Sequence, residues 1–139
     1  MATWDDVHRL ALALPGTTGG REGDGGGSWR VGTKAFVWER PLRPSDLAAL
    51  AKLGRPVPDP PILGAYVPDL GVKEALVGSA PDVYFTTPHF DGYPAVLVRL
   101  AAIDVGELGE LVTESWLCRA PKRLAARFLA DQGRGEPPA

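Results

Sequence analysis

The sequence predicts an α+β domain in two layers, an antiparallel sheet with helices packed on one face. Three observations predict it. Apolar residues recur at helical spacing near the start of the chain and again toward its end. Between them lie short runs rich in aromatic and β-branched residues, two of them joined by Gly32-Thr33 as in a hairpin. Strands that come in hairpins, with helices between the groups, favour an antiparallel sheet.

The first helix is expected from about Trp4 to Ala13. Thr3 can cap it, and Asp5 and Asp6 suit the positive end of its dipole. Trp4, Val7, Leu10, Ala11 and Leu14 form its apolar stripe, and Pro15-Gly16 stops it. Residues 16–27 hold seven glycines and read as a flexible connection. Ser28 to Glu39 reads as a hairpin with a type II′ turn. Strict alternation puts Trp29, Val31, Lys34, Phe36 and Trp38 on one face, toward the core.

Six prolines fall within residues 41–61, an insertion that holds a short capped helix over residues 45–50. Ile62 to Val67 reads as a strand, and Asp69 caps a helix ending near Gly78. Val83–Thr86 and Ala95–Leu100 read as further strands. Asp104 with Glu107 is an acidic relative of the capping box. It opens a helix that buries Leu108, Leu111, Val112, Ser115 and Trp116. Pro121 disfavours helix at Ala120 and suits the first turn of a new one, with Leu124, Ala125, Phe128 and Leu129 as its stripe. Residues 1–132 are therefore read as a single domain and residues 133–139 as a flexible tail.

Composition sets the outer limits. Gly 17 and Pro 14 in 139 residues raise the prospect of disorder, but 45% hydrophobic residues and a net charge of −2 oppose it. The chain is too short for a dinucleotide-binding domain with a separate substrate domain. No stretch approaches the roughly 20 apolar residues of a membrane span. The acidic start carries no secretory signal, so a soluble cytoplasmic protein without membrane attachment is expected. Cys118 is the one cysteine, which excludes a disulfide framework and a cysteine zinc site.

Motifs for catalysis are missing. Residues 27–34 hold Thr33 before Lys34, the reverse of the P-loop order, in a strand-like setting where a phosphate cradle needs a helix. No Gly-x-Ser-x-Gly elbow occurs. His8 reads as a solvated residue and Cys118 as a buried, inert thiol. Glu107, Glu110 and Glu114 form a solvated stripe. No enzyme activity and no cofactor or metal is expected.

Two groups of residues remain. Pro88-His89-Phe90-Asp91-Gly92-Tyr93-Pro94 packs His, Asp and Tyr around a turn. It can contribute His89, Asp91 and Tyr93 to a ligand pocket with Trp38 and Trp116. Arg119, Lys122, Arg123 and Arg127 surround the start of the last helix, where free backbone N–H groups also attract anions. Arg30 and Lys34 on the hairpin can add phosphate contacts from opposite faces of the sheet.

Several segments together resemble the MmcQ/YjbR family of small bacterial proteins. They are Leu12-Ala13-Leu14-Pro15-Gly16, Ser28-Trp29-Arg30-Val31, Lys34-Ala35-Phe36, the Pro88–Pro94 turn, Val96-Leu97-Val98-Arg99-Leu100, and the stretch from Glu114-Ser115-Trp116 to Ala120-Pro121-Lys122-Arg123-Leu124. They occur in the family's order over most of residues 4–130, and the Pro-rich insertion after Arg40 is the main departure. The resemblance implies a CyaY-like domain and a DNA-binding role, sometimes described as a double-wing motif, and brings no catalytic residues. The leading expectation is thus a non-catalytic DNA-binding protein. The alternative is a module for a small anionic ligand or a protein partner.

Overall fold

The computed structural model of the chain describes residues 2–21 and 27–135. Strands β1 (Thr17–Arg21), β2 (Gly27–Val31), β3 (Lys34–Glu39), β4 (Ile62–Tyr66), β5 (Tyr84–Phe85) and β6 (Ala95–Arg99) form one sheet. Their order is β1-β2-β3-β4-β6-β5, and every neighbouring pair is antiparallel. The expected α+β architecture is present.

Helix α1 (Trp4–Leu12) starts at the foreseen cap. The Thr3 hydroxyl accepts from the Asp6 backbone N–H at 3.3 Å, and the Asp6 carboxylate accepts from the Thr3 N–H at 2.9 Å. That backbone bond holds the Asp6 carboxyl below its ordinary pKa. His8 is not merely solvated, because its Nδ1 accepts from the Trp29 indole N–H at 3.1 Å.

The glycine-rich connection contains a strand that alternation did not suggest. Strand β1 pairs along β2, with Gly19 opposite Trp29. A Cβ at Gly19 would collide with the Ser28 carbonyl, and φ there is +132°. Only glycine lets the two backbones approach this closely. The rest of the connection, residues 22–26, lies outside the described residues.

The β2–β3 hairpin turns at Gly32-Thr33, with Gly32 at φ +62°. Its register does not run straight. Val31 faces Lys34 and Arg30 faces Ala35, but Trp29 then faces Val37. The extra residue is Phe36, a bulge that reverses the alternation beyond it. Trp29, Phe36 and Val37 all enter the main core, and Trp38 turns to the opposite face. The expectation that Trp38 shares a face with Trp29 is corrected accordingly.

The main core joins Trp29, Val31, Val37, Ala65, Val96 and Val98 to the inward sides of α1 and α4 (Val105–Arg119). Helix α5 (Lys122–Gly135) adds Leu124, Ala125 and Phe128 at its border. It runs beyond Gln132, so Gly133–Gly135 are helical, and residues 136–139 lie outside the described residues.

The other face holds a smaller core of Ile62, Phe90, Ala95 and Leu97, flanked by Trp38, Leu42 and Phe85. The insertion covers part of it with α2 (Pro44–Lys52). A buried ion pair between Arg40 and Asp46, 3.0 Å apart, ties this helix down, and the Arg40 guanidinium lies over the Phe90 ring. Helix α3 (Leu70–Ser79) is capped by Asp69, as foreseen. It sends the buried Lys73 ammonium to the carbonyls of Phe90 and Tyr93. These ties hold the Pro88–Pro94 turn against the sheet.

Candidate nucleic-acid interface

Helix α4 ends at Arg119, Ala120 is extended, and Pro121 precedes α5. The break lets α5 fold back on the core. The Trp116 indole donates to the Pro15 carbonyl at 3.1 Å, and Phe128 packs on Trp116 with ring centres 5.0 Å apart. A methyl group placed on Gly16 would touch both Leu124 (3.3 Å) and Val31 (4.0 Å). Arg119 Nε donates to the Ala35 carbonyl at 3.3 Å. The α4–α5 junction therefore lies close to the tip of the β2–β3 hairpin.

That placement gathers residues distant in sequence. Arg30 and Lys34 flank the hairpin turn, and Arg119, Lys122 and Arg123 surround the α4–α5 junction beside it. Arg127 follows one turn along α5. Arg30, Lys34, Lys122, Arg123 and Arg127 are exposed. Among the described residues none of them forms an ion pair, and Glu110 and Glu114 do not neutralise them. Arg30 and Lys34 occupy opposite faces of the hairpin, as their pairings with Ala35 and Val31 require.

The residues considered for a ligand pocket separate. The Trp116 side chain is fully buried in the main core, away from the turn. His89 is exposed and meets the edge of Phe90, and Asp91 is exposed and near Lys73. Trp38 and Tyr93 do come together, through a residue the sequence reading did not single out. The Trp38 indole lies flat on Gly64, where any Cβ would overlap it. Tyr66 sits 5.2 Å from Trp38 and 5.8 Å from Tyr93, ring centre to ring centre. The two tyrosine hydroxyls are 2.6 Å apart.

The Arg119 guanidinium covers the Tyr66 ring at 4.3 Å, closing one side of a cleft of about 590 Å³. Tyr66, Pro68, Tyr93, Pro94, Leu117 and Arg119 line it. Burial, then the hydrogen bond with Tyr93, raises the Tyr66 phenol above its ordinary pKa. Cys118, expected to be buried, is exposed at the rim. Partial burial and Glu114 raise its thiol, against the influence of Arg119, so it is a poor nucleophile at neutral pH. Among the described residues no group of three or more His, Cys, Asp or Glu side chains is placed to hold a metal. No described helix is long and apolar enough to cross a membrane.

A family model described as YjbR matches residues 12–118. The chain belongs to the YjbR family. Uncharacterized proteins of Mycobacterium tuberculosis (Rv2570) and Mycobacterium bovis (Mb2600) are each 56% identical over 133 residues, covering 96% of this chain and all of the relative. The crystal structure of the Deinococcus radiodurans protein DR2400, with the family-model domain DUF419, superposes with a TM-score of 0.63 at 20% identity. The match covers 96% of this chain and 89% of that one. Identity this low speaks for the YjbR fold alone.

Proposed function

We propose that this YjbR-family protein is a non-catalytic DNA-binding domain that meets the phosphate backbone with its basic end. One observation carries the reading. The hairpin tip and the α4–α5 junction bring Arg30, Lys34, Lys122 and Arg123 to one end of the molecule, with Arg127 alongside, and among the described residues none is occupied by an ion pair. With a net charge of −2 the whole molecule does not attract polyanions, so binding rests on this local patch. Such contacts position a protein on the duplex without reading sequence.

Fluorescence anisotropy with a short labelled DNA duplex tests the proposal. Binding is expected at micromolar protein in low salt. It should weaken steeply with added salt, with a log–log slope of about −0.9 for each phosphate neutralised. The triple variant Lys122→Ala, Arg123→Ala, Arg127→Ala should lose most of the affinity and flatten that slope by about two to three. No binding at micromolar protein in low salt removes the reading.

A further inference from the structure

We propose that the cleft between the end of α4 and the Pro88–Pro94 turn binds a small monocarboxylic acid with an apolar body. The site is separate from phosphate-backbone binding and stands without it.

Its charged group is built rather than incidental. Arg119 is held at Nε by the Ala35 carbonyl, and its Cζ sits over the Tyr66 ring, 4.3 Å from the centre. This leaves the two terminal nitrogens with no hydrogen bond or ion pair among the described residues. A guanidinium fixed this way presents a two-pronged donor edge, the geometry that matches a carboxylate. The tyrosine pair adds a second polar point. In a hydroxyl pair 2.6 Å apart, one phenol gives its proton to the other, and the acceptor keeps a proton of its own to donate. Both phenols line the cleft beside Arg119.

The remaining walls specify the body of the ligand. Val67, Pro68, Pro94 and Leu117 are apolar, and the two prolines lack backbone N–H groups. The volume, about 590 Å³, lies within the roughly 300–1,000 Å³ usual for small-molecule sites. Glu114 also lines the cleft. One fixed arginine opposed by one carboxylate suits a single negative charge and disfavours a phosphate dianion.

Benzoate is the probe, with acetate and inorganic phosphate as comparisons. Ligand-detected saturation-transfer NMR and a Trp fluorescence titration report binding, since Trp38 contacts Tyr66. Benzoate is expected to saturate in the millimolar range or tighter, with acetate about tenfold weaker and phosphate weaker still. Arg119→Gln should abolish binding. Tyr93→Phe, a change at a partly exposed ring that leaves the fold intact, should weaken it about fivefold to tenfold. The Lys122→Ala, Arg123→Ala pair should leave benzoate binding unchanged, which separates this site from the DNA surface. The proposal is overturned by no benzoate saturation up to roughly 10 mM. Equal binding by wild type and Tyr93→Phe, or tighter binding of phosphate than of benzoate, overturns it as well.

Discussion

On the face of the sheet that α1 and α4 cover, Trp29, Phe36, Val37, Ala65, Val96 and Val98 are almost completely excluded from solvent. On the opposite face, among the described residues, the buried cluster consists of Ile62, Phe90, Ala95 and Leu97. The chain covering them is held by polar ties, the Arg40–Asp46 pair and the Lys73 ammonium on two carbonyls. The first face draws its stability from apolar area removed from water. The second trades area for directed bonds, which fix the Pro88–Pro94 turn and so one wall of the cleft. A site that must present polar groups to a ligand cannot be built from a continuous apolar seam, and the proposed carboxylate site lies beside the thinner core.

The sharpest way to break this contrast is to truncate each face at its centre. Trp29→Ala removes a fully buried ring and the donor to His8, and should cost about 3–5 kcal/mol. Urea denaturation measures it, and a loss under about 1 kcal/mol would mean that the helix-covered face is not the main source of stability.

Asp46→Ala should cost about 3 kcal/mol, because it strands the Arg40 charge in a buried position. The paired change Arg40→Met, Asp46→Leu should restore most of that loss, since well-packed apolar groups can replace a buried ion pair. If the double variant is as unstable as the single one, the ion pair is not what costs and saves here. If Asp46→Ala is neutral, the polar-tie account of the second face is wrong.

The same contrast explains what could be read from the sequence. The helices of the first face announce themselves, through the Thr3 and Asp104 caps and the stripe Leu108, Leu111, Val112, Ser115 and Trp116. Helical periodicity needs no knowledge of neighbours. Alternation alone puts Trp38 on the wrong face, because Val37 and Trp38 are both apolar and the pattern cannot choose between them. The choice is made by Gly64 across the β3–β4 pair, whose missing side chain leaves a seat for the indole. Strand β1 carries no hydrophobic pattern, because a glycine-rich strand pairs through its backbone alone. The basic residues of the proposed DNA surface are legible individually, but their assembly depends on Leu124 docking beside Gly16. The Tyr66–Arg119 stack joins the end of one strand to the end of a helix 53 positions away, and no local pattern encodes that approach.

Alkaline pH separates the two faces by sign, and this is the smallest expected effect. Tyr84, in the main core, has its phenol raised far above 10.0 by burial, reinforced by Glu107 and Glu110. Above pH 10.0 the unfolded chain releases this proton while the folded chain keeps it, so stability falls as pH rises. Lys73 behaves in the opposite way. Burial lowers its ammonium below 10.5, so over the interval between the two values the folded chain has released a proton that the unfolded chain still holds. Its contribution to stability rises with pH across that interval. Urea denaturation at neutral pH and above pH 10.0 should therefore show Tyr84→Phe losing less stability than wild type over the alkaline step, and Lys73→Met losing more. Parallel losses in all three proteins would show that neither group is linked to folding, and that polarity does not distinguish the faces as described.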